Sequence, residues 1–393
     1  MLQIAEIGRE CGLEMYTAAK RTRTSEEKAV SSKYHYLIGN RYEHALNRVF
    51  SSITDMQDTG SIVSTLQFIR YIKKIKPDII HIHDIAGYYL NLQVFFSFLK
   101  RYDKPVIWTL HCCWAYTGRC IYYDYIDCQK WKDGCKKCPQ DKKQFPMHLT
   151  FDLSAYNFRR KKKLICGLRS LNIVAISNWM KNEAEKSFLN SYPIETIYDG
   201  IDLNSFYPER NMNLIENYGL TGKIILLGVA SIWSDRKGLK YFFELRKILT
   251  DDFAIVLIGL NEEQLKELPY NIIGLKKTFN ICELRNWYSN ADVFVNPTME
   301  EGLGLVNLEA QACGTPVVSF ATGGAVETID DNITGKFVKK GNVKMLKTAI
   351  EEIISKGKEF YKDACIIQAT KFNKKDKYLE YIDLYKKVGI KTL

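Results

Sequence analysis

The sequence predicts a two-domain α/β protein in which each domain is a doubly wound parallel sheet. The chain has 393 residues, too many for one typical core and enough for two domains of ordinary size. Along most of its length short apolar runs alternate with helix-length segments, the rhythm of βαβ units. The stretch Val295–Ile329 shows one such unit clearly: an apolar strand, a loop broken by Pro and Gly, about ten helix-prone residues, a Gly stop, a second apolar strand and Gly323-Gly324. With 46% hydrophobic and 26% charged residues, the composition is that of a folded protein.

Taken in order, residues 2–10 read as a helix stopped by Gly12, and Met15–Ala19 as a strand. The spacing of Ile62, Leu66, Ile69 and Ile72 predicts an amphipathic helix closed off by Pro77. A buried strand over Asp78–His83 follows, then a helix to about Leu99 and a strand over Val106–His111. Asn172–Ile176 is another strand, Ser177 an N-cap, and Ile194–Tyr198 the last strand of the first domain. The turn Asp199-Gly200-Ile201-Asp202 leads into Phe206-Tyr207-Pro208, the expected linker. The second domain opens with a continuous apolar strand over Lys223–Ala230, and further strands are expected at Ala254–Gly259, Ile272–Leu275 and Ala291–Val295. Asn280 should cap a helix over Ile281–Asn290, and the chain should close with a strand, a helix and a last helix over Lys377–Val388. The expected domains are therefore 1–205, with a Cys-rich insertion at 112–140, and 206–375, followed by a helix over 376–393.

In open parallel sheets ligands bind beyond the carboxyl ends of the strands, and a helix start offers unpaired N–H groups to an anion. The loop Glu301-Gly302-Leu303-Gly304, running into Leu305, has the glycines that let backbone approach a ligand closely. The helix after it is apolar nearly all round, yet Glu309 stands in its middle, where a carboxylate needs a partner. Two carboxylates, Glu301 and Glu309, beside a phosphate-friendly helix start suit the hydroxyls of a nucleotide sugar; a solvated Glu301 and a Glu309 paired with Lys or Arg are equally consistent. In the loop Ser231–Gly238, Arg236 and Lys237 make a plausible diphosphate clamp, Arg as a fork and Lys as a point charge. His111 ends its strand where an imidazole could hydrogen-bond a sugar hydroxyl, whereas His81 and His83 read as packed or supporting residues. Neither glycine loop is a GxGxxG fingerprint, which lowers a dehydrogenase reading.

Glu301, seven residues and Glu309, followed by Ala-Cys-Gly-Thr-Pro-Val-Val and Gly323-Gly324, resemble the signature of retaining glycosyltransferases of the GT-B fold, in the large family four. The resemblance implies two Rossmann-like domains facing a central cleft. It implies that Glu301 touches the donor sugar, Glu309 the ribose, and the backbone at Gly302, Gly304 and Leu305 the diphosphate. It further puts His111 against the donor sugar and the Lys276–Phe279 loop, with Thr278, near the nucleobase. The donor is a nucleotide-diphosphate sugar, the acceptor a glycan or lipid-linked glycan, and no metal is needed for the chemistry. The family's usual first strand and Gly-rich turn are not seen, which suggests a shortened first domain. Its usual Arg after the first strand of the second domain is replaced near Ser231, so that Arg236 could take over that charge. The run Thr109-Leu110-His111-Cys112-Cys113-Trp114 resembles that of a subgroup from colanic-acid-like pathways, with Cys112 in place of the usual Asp. A nucleotide-sugar epimerase of the same fold is the nearest alternative.

The formal net charge is +11, and between Lys100 and Ile165 fifteen Lys and Arg stand against six Asp, among many aromatics. Such a region could meet anionic lipid or nucleic acid, and a non-catalytic zinc and nucleic-acid binder is a second alternative, although no nucleic acid is expected of a transferase. Six of the eleven cysteines fall between Cys112 and Cys138. Cys120, Cys128 and the CxxC pair Cys135 and Cys138 could supply four thiolates to a structural zinc, holding an insertion with little core of its own; free, packed thiols are as consistent. There is no signal-peptide pattern at Met1 and no apolar run long enough to span a bilayer. The expectation is a cytoplasmic protein, with peripheral contact to the membrane's inner face left open.

Overall fold

A computed structural model describes residues 1–22, 25, 34–142 and 145–390. The chain forms two compact units, one built from Met1–Ile197 with the segment from Tyr378 onward, the other from Tyr198–Lys377.

In the first unit β1 (Thr17–Lys20) and β2 (His35–Ile38) form a parallel pair. A separate four-stranded parallel sheet runs in the order β3 (Ile80–Ile82), β4 (Val106–Leu110), β5 (Leu171–Ala175), β6 (Ile194–Thr196). On one face Ile107 and Val174 pack against Ile4 and Ile7 of the first helix and against Tyr381, Ile382 and Val388 of the last, Lys374–Ile390. The expected strand at Met15–Ala19 begins two residues later, and Ser177 caps its helix by accepting from the Met180 N–H.

The second unit holds one six-stranded parallel sheet. Its strands are β7 (Ile224–Val229), β8 (Phe253–Leu260), β9 (Ile272–Lys276), β10 (Val293–Asn296), β11 (Val317–Phe320) and β12 (Gly335–Val338), ordered β12-β11-β10-β7-β8-β9. Every residue of β8, β10 and β11 is buried, because helices cover both faces; this is why these strands are continuous apolar runs rather than alternating ones. Asn280 caps the helix Ile281–Asn290 by accepting from the N–H groups of Cys282 and Glu283.

The units divide after Ile197 and Lys377, not at 205 and 375. Ile201 donates its N–H to the Phe372 carbonyl at 2.9 Å, Lys374 returns one to Ile201 at 2.9 Å, and Lys374 Nζ pairs with Asp202 at 3.0 Å. The segment after β6 is thereby stitched to the end of the second unit.

Strand order fixes where a ligand can sit. From β7 the chain proceeds outward through β8 to β9, then returns to place β10 on the other flank of β7. The β7/β10 pair is thus a topological switch point, where the loops leaving the two strands diverge and open a crevice at the carboxyl edge.

Candidate functional site

Three loops meet at that edge, and missing side chains let them touch. The loop after β7 joins the loop after β10 through Met299 N–H donating to the Arg236 carbonyl at 2.8 Å. Gly238, at φ +78°, lies so close to Pro297 that a Cβ would stand 2.0 Å from the Pro297 carbonyl oxygen. The loop after β11 joins through Gly324 N–H donating to the Glu301 carbonyl at 3.0 Å. Gly323, at φ +50°, would place a Cβ 2.0 Å from that same oxygen. In both places only glycine permits the approach.

Across this junction Lys237 Nζ donates to Glu301 Oε2 at 2.6 Å, with 22% and 14% of the two side chains exposed. Arg236 Nε lies 3.9 Å from Glu300 Oε2, and the Glu300 side chain is only 1% exposed. The expected clamp and the expected sugar-binding carboxylate therefore form one charge network across two loops. Glu300 was not anticipated; the doubled acid at 300–301 in a loop otherwise rich in glycine was the available signal.

The helix Leu305–Ala312 starts from Gly304 at φ +96°. Its orientation is fixed by Asn307, which is buried, accepts from Asn296 Nδ2 at 2.8 Å and donates to Thr328 Oγ1 at 2.9 Å. Gly302 and Leu303 are buried beneath it, while Leu305 is half-buried. Glu309 finds no Lys or Arg partner among the described residues; its Oε2 accepts from the Tyr288 hydroxyl at 2.9 Å. Burial raises its carboxyl from the usual 4.5 to about 7, and the Tyr288 bond pulls only partly the other way.

A raised pKa in the folded chain means that folding takes up a proton. Stability from this group is present below the unfolded-state value of 4.5 and is lost as pH rises through about 7. Glu309→Gln should therefore lose less stability than the native chain between pH 5 and pH 8, read as the shift of urea midpoints with pH. Parallel shifts in the two proteins would contradict the assignment.

Thr278 lies beyond β9 at the same sheet edge. Its hydroxyl donates to Glu283 at 2.6 Å and accepts from the Asn280 N–H at 3.0 Å, so it is engaged in closing the start of the helix Ile281–Asn290.

In the first unit His111 follows β4. Its Nε2 lies 3.0 Å from His83 Nδ1, the rings stack with centroids 5.3 Å apart, and Tyr122 donates to the His111 carbonyl at 2.9 Å. His81 is tied to Thr109 at 2.8 Å and to the Tyr385 hydroxyl at 2.6 Å. Burial drives His81 down to about 3 and His83 well below its usual value, so both are neutral supports. Cys112 is pushed up to about 12, chiefly by burial, and stays a thiol.

The Cys-rich insertion departs from expectation. Cys120, Cys128, Cys135 and Cys138 line one small cavity, and Cys135 Sγ accepts from the Gly118 N–H at 3.1 Å. Among the described residues, however, no three His, Cys, Asp or Glu side chains are arranged to hold an ion, and the zinc expectation gains no support. The premise behind it fails too, because the insertion has a core. Trp131 packs against Tyr123 and Tyr116 with centroids 4.8 and 5.2 Å apart, and buried Arg119 pairs with buried Asp55 at 2.7 Å. Of the aromatics in this basic region Trp108, Trp114, Tyr116, Tyr123, Trp131 and Phe158 are buried as core residues, while Phe145, Phe151 and Tyr156 are exposed.

Comparison with known proteins agrees with this architecture. Residues 55–205 match the family Glycosyltransferase Family 4, and residues 212–372 match Glycosyl transferases group 1. A GDP-mannose-dependent alpha-(1-6)-phosphatidylinositol monomannoside mannosyltransferase of Mycolicibacterium smegmatis is 29% identical over 202 residues, 47% of this chain and 53% of the relative. The capsular polysaccharide biosynthesis glycosyltransferase CapM of Staphylococcus aureus is 29% identical over 203 residues, 47% of this chain and 52% of CapM. The matches span about half the length of these curated relatives. Among solved structures, Anabaena Alr3699/HepE in complex with UDP and glucose superimposes with a TM-score of 0.66 at 14% identity, covering 98% of this chain and 95% of that one. Residues 55–205 thus match a Glycosyltransferase Family 4 domain and residues 212–372 a Glycosyl transferases group 1 domain, and the fold is that of the GT-B structures, with two Rossmann-like units.

Proposed function

We propose that this protein is a retaining glycosyltransferase of family four that moves a sugar from a nucleoside-diphosphate sugar to a glycan or lipid-linked glycan in surface polysaccharide synthesis. The observation that supports it most is the Lys237–Glu301 pair, closed at 2.6 Å across two loops at the topological switch point. A diphosphate entering there would draw the ammonium from Glu301. Lys237, with Arg236 beside it, would then neutralise the charge that builds on the departing phosphate, the main demand of such a transfer. Glu301, released, becomes an acceptor for the donor sugar's hydroxyls, and the backbone N–H groups at the start of the helix Leu305–Ala312 add to the anion's stabilisation. Glu309, held by the neutral Tyr288 hydroxyl, is assigned the ribose hydroxyls. His111, fixed through His83 and Tyr122, is assigned the transferred sugar. Names among the relatives support the class of reaction: one acts on a phosphatidylinositol mannoside with GDP-mannose, the other serves capsule synthesis. Work in the cytoplasm, at the inner face of the membrane, fits a lipid-linked acceptor.

The test is transfer itself. A panel of nucleoside-diphosphate sugars is supplied with lipid-linked glycan acceptors, and the product's anomeric configuration is read by NMR. The reading expects acceptor-dependent transfer with the donor's configuration kept. Inverted product would refute the retaining mechanism, and turnover to a free sugar without acceptor would refute transfer.

A further inference from the structure

The Cys-rich insertion gathers four thiols that the proposed reaction leaves unused. Cys120, Cys128, Cys135 and Cys138 line one small cavity, and two of them touch: the buried Cys120 thiol donates a hydrogen bond to the half-buried sulfur of Cys138. Cys138 Sγ also accepts from the Gln140 N–H. Cys135 is engaged elsewhere, its Sγ accepting from the Gly118 N–H at 3.1 Å. Arg119 and Trp131 line the same cavity, and each keeps one buried N–H without an acceptor, Nη1 of Arg119 and Nε1 of Trp131. Donors collected around a sulfur favour negative charge on it. Accordingly Cys138 lies below the usual thiol range, held there by the Cys120 hydrogen bond first and by Gln140 and Arg119 after it, whereas Cys120 lies well above that range.

The touching pair joins the two ends of the insertion. On the entry side Cys113 N–H donates to the Ile121 carbonyl at 2.7 Å and the Thr117 hydroxyl to the Cys120 carbonyl at 2.6 Å. Tyr122, two residues beyond Cys120, is the donor to the His111 carbonyl. On the exit side Cys138 N–H donates to Asp152 at 2.7 Å, and Asp152 also accepts at 3.0 Å from the N–H of Ser154, where the helix Ser154–Ile165 begins. Backbone hydrogen bonds thus anchor both cysteines, and the fold itself keeps their sulfurs in contact.

We infer that Cys120 and Cys138 form a reversible redox pair whose substrate is a hydroperoxide. Cys138 is the sulfur that solvent reaches and the one that accepts hydrogen bonds, so it reacts first. Its thiolate attacks one peroxide oxygen; the O–O bond breaks, the leaving oxygen departs with the electron pair and takes up a proton, and Cys138 becomes a sulfenic acid. Cys120 then attacks the Cys138 sulfur. The S–O bond breaks, the Cys120 proton leaves with the hydroxyl as water, and an S–S bond forms. Two thiols lose two electrons and one hydroperoxide gains them. Cys11, Cys166 and Cys282 are exposed as well, but none of them lines this cavity, so an oxidised sulfur there meets no resolving thiol of the cluster. The new bond ties the segment carrying Tyr122 to the exit of the insertion, and it therefore acts beside His111. Only that consequence rests on the proposed function.

The experiment uses the full chain, with neither donor nor acceptor, so that its outcome is independent of transfer. The reduced protein is treated with hydrogen peroxide, and its intact mass, its disulfide-mapped peptides and its melting temperature are read before and after dithiothreitol. The native chain should lose two hydrogens, show a Cys120–Cys138 cross-link and melt at a higher temperature, because the closed loop restricts the unfolded chain; dithiothreitol should reverse all three. Cys120→Ser should stop at the sulfenic acid, captured by dimedone on Cys138. Cys138→Ser should form the disulfide roughly tenfold more slowly or not at all. The native result stands by itself should the variant at buried Cys120 not fold. The inference is overturned if native protein keeps its thiols, if mapping joins other cysteines, if Cys138→Ser oxidises as fast as native, or if the purified chain carries stoichiometric zinc on the four sulfurs. A mapped Cys120–Cys138 bond without transfer in the preceding assay would leave the redox pair standing and remove the proposed reaction.

Discussion

Replacing Lys237 with alanine should lower kcat/KM for sugar transfer by about 10²- to 10³-fold, the usual loss when one preorganised charge facing a developing anion is removed. The fold should survive. Lys237 sits in a short 3-10 turn between β7 and the following helix, belongs to neither hydrophobic cluster of its unit, and pairs with Glu301. Its removal leaves a partly exposed carboxylate that water can solvate, so little stability should be lost. Lys237→Arg keeps the charge but exchanges a point cation for a planar fork, and should recover part of the activity. Steady-state kinetics beside circular dichroism separate the two effects. An alanine variant with native kcat/KM would show that the cation does not face the phosphate.

Gly323→Ala should damage both fold and activity. The added Cβ would fall 2.0 Å from the Glu301 carbonyl oxygen, which is backbone and has nowhere to go, since it already accepts from Gly324. Relief requires the loops after β10 and β11 to part, which costs roughly 2–4 kcal/mol in the manner of other strained or overpacked substitutions. It also displaces Glu301 from Lys237. Gly219 separates the two contributions within the same unit: it has φ +66° and open space within 4 Å of where a methyl would stand, so Gly219→Ala should cost only about 1 kcal/mol of left-handed strain and leave transfer untouched. Urea denaturation of the two variants measures the difference. Equal losses would mean that the close approach at Gly323 does not matter.

Much of the second unit was legible in the sequence. Strands such as Phe253–Leu260 announce themselves because both faces are buried, and loop glycines such as Gly304 and Gly323 mark places where φ or close approach excludes a side chain. The pairing of Lys237 with Glu301 was not legible, since it depends on residues 64 positions apart in sequence being carried by strands that lie side by side. Nor was Tyr288 as the partner of Glu309, because a tyrosine on a buried helix looks the same whether its hydroxyl is used or not. Zinc was suggested by cysteine spacing alone, which cannot show that Trp131, Tyr123 and the Arg119–Asp55 pair already hold the insertion.

The central claim is that the switch-point loops hold a nucleoside diphosphate through Lys237. The most direct measurement is calorimetric titration of UDP and GDP into the native chain and into Lys237→Ala. At least one of the two nucleotides should bind the native chain, with affinity falling about tenfold or more in the variant, since one close charge–phosphate contact is worth at least that much. No binding of either nucleotide to native protein, or equal affinity in the two proteins, would contradict the claim.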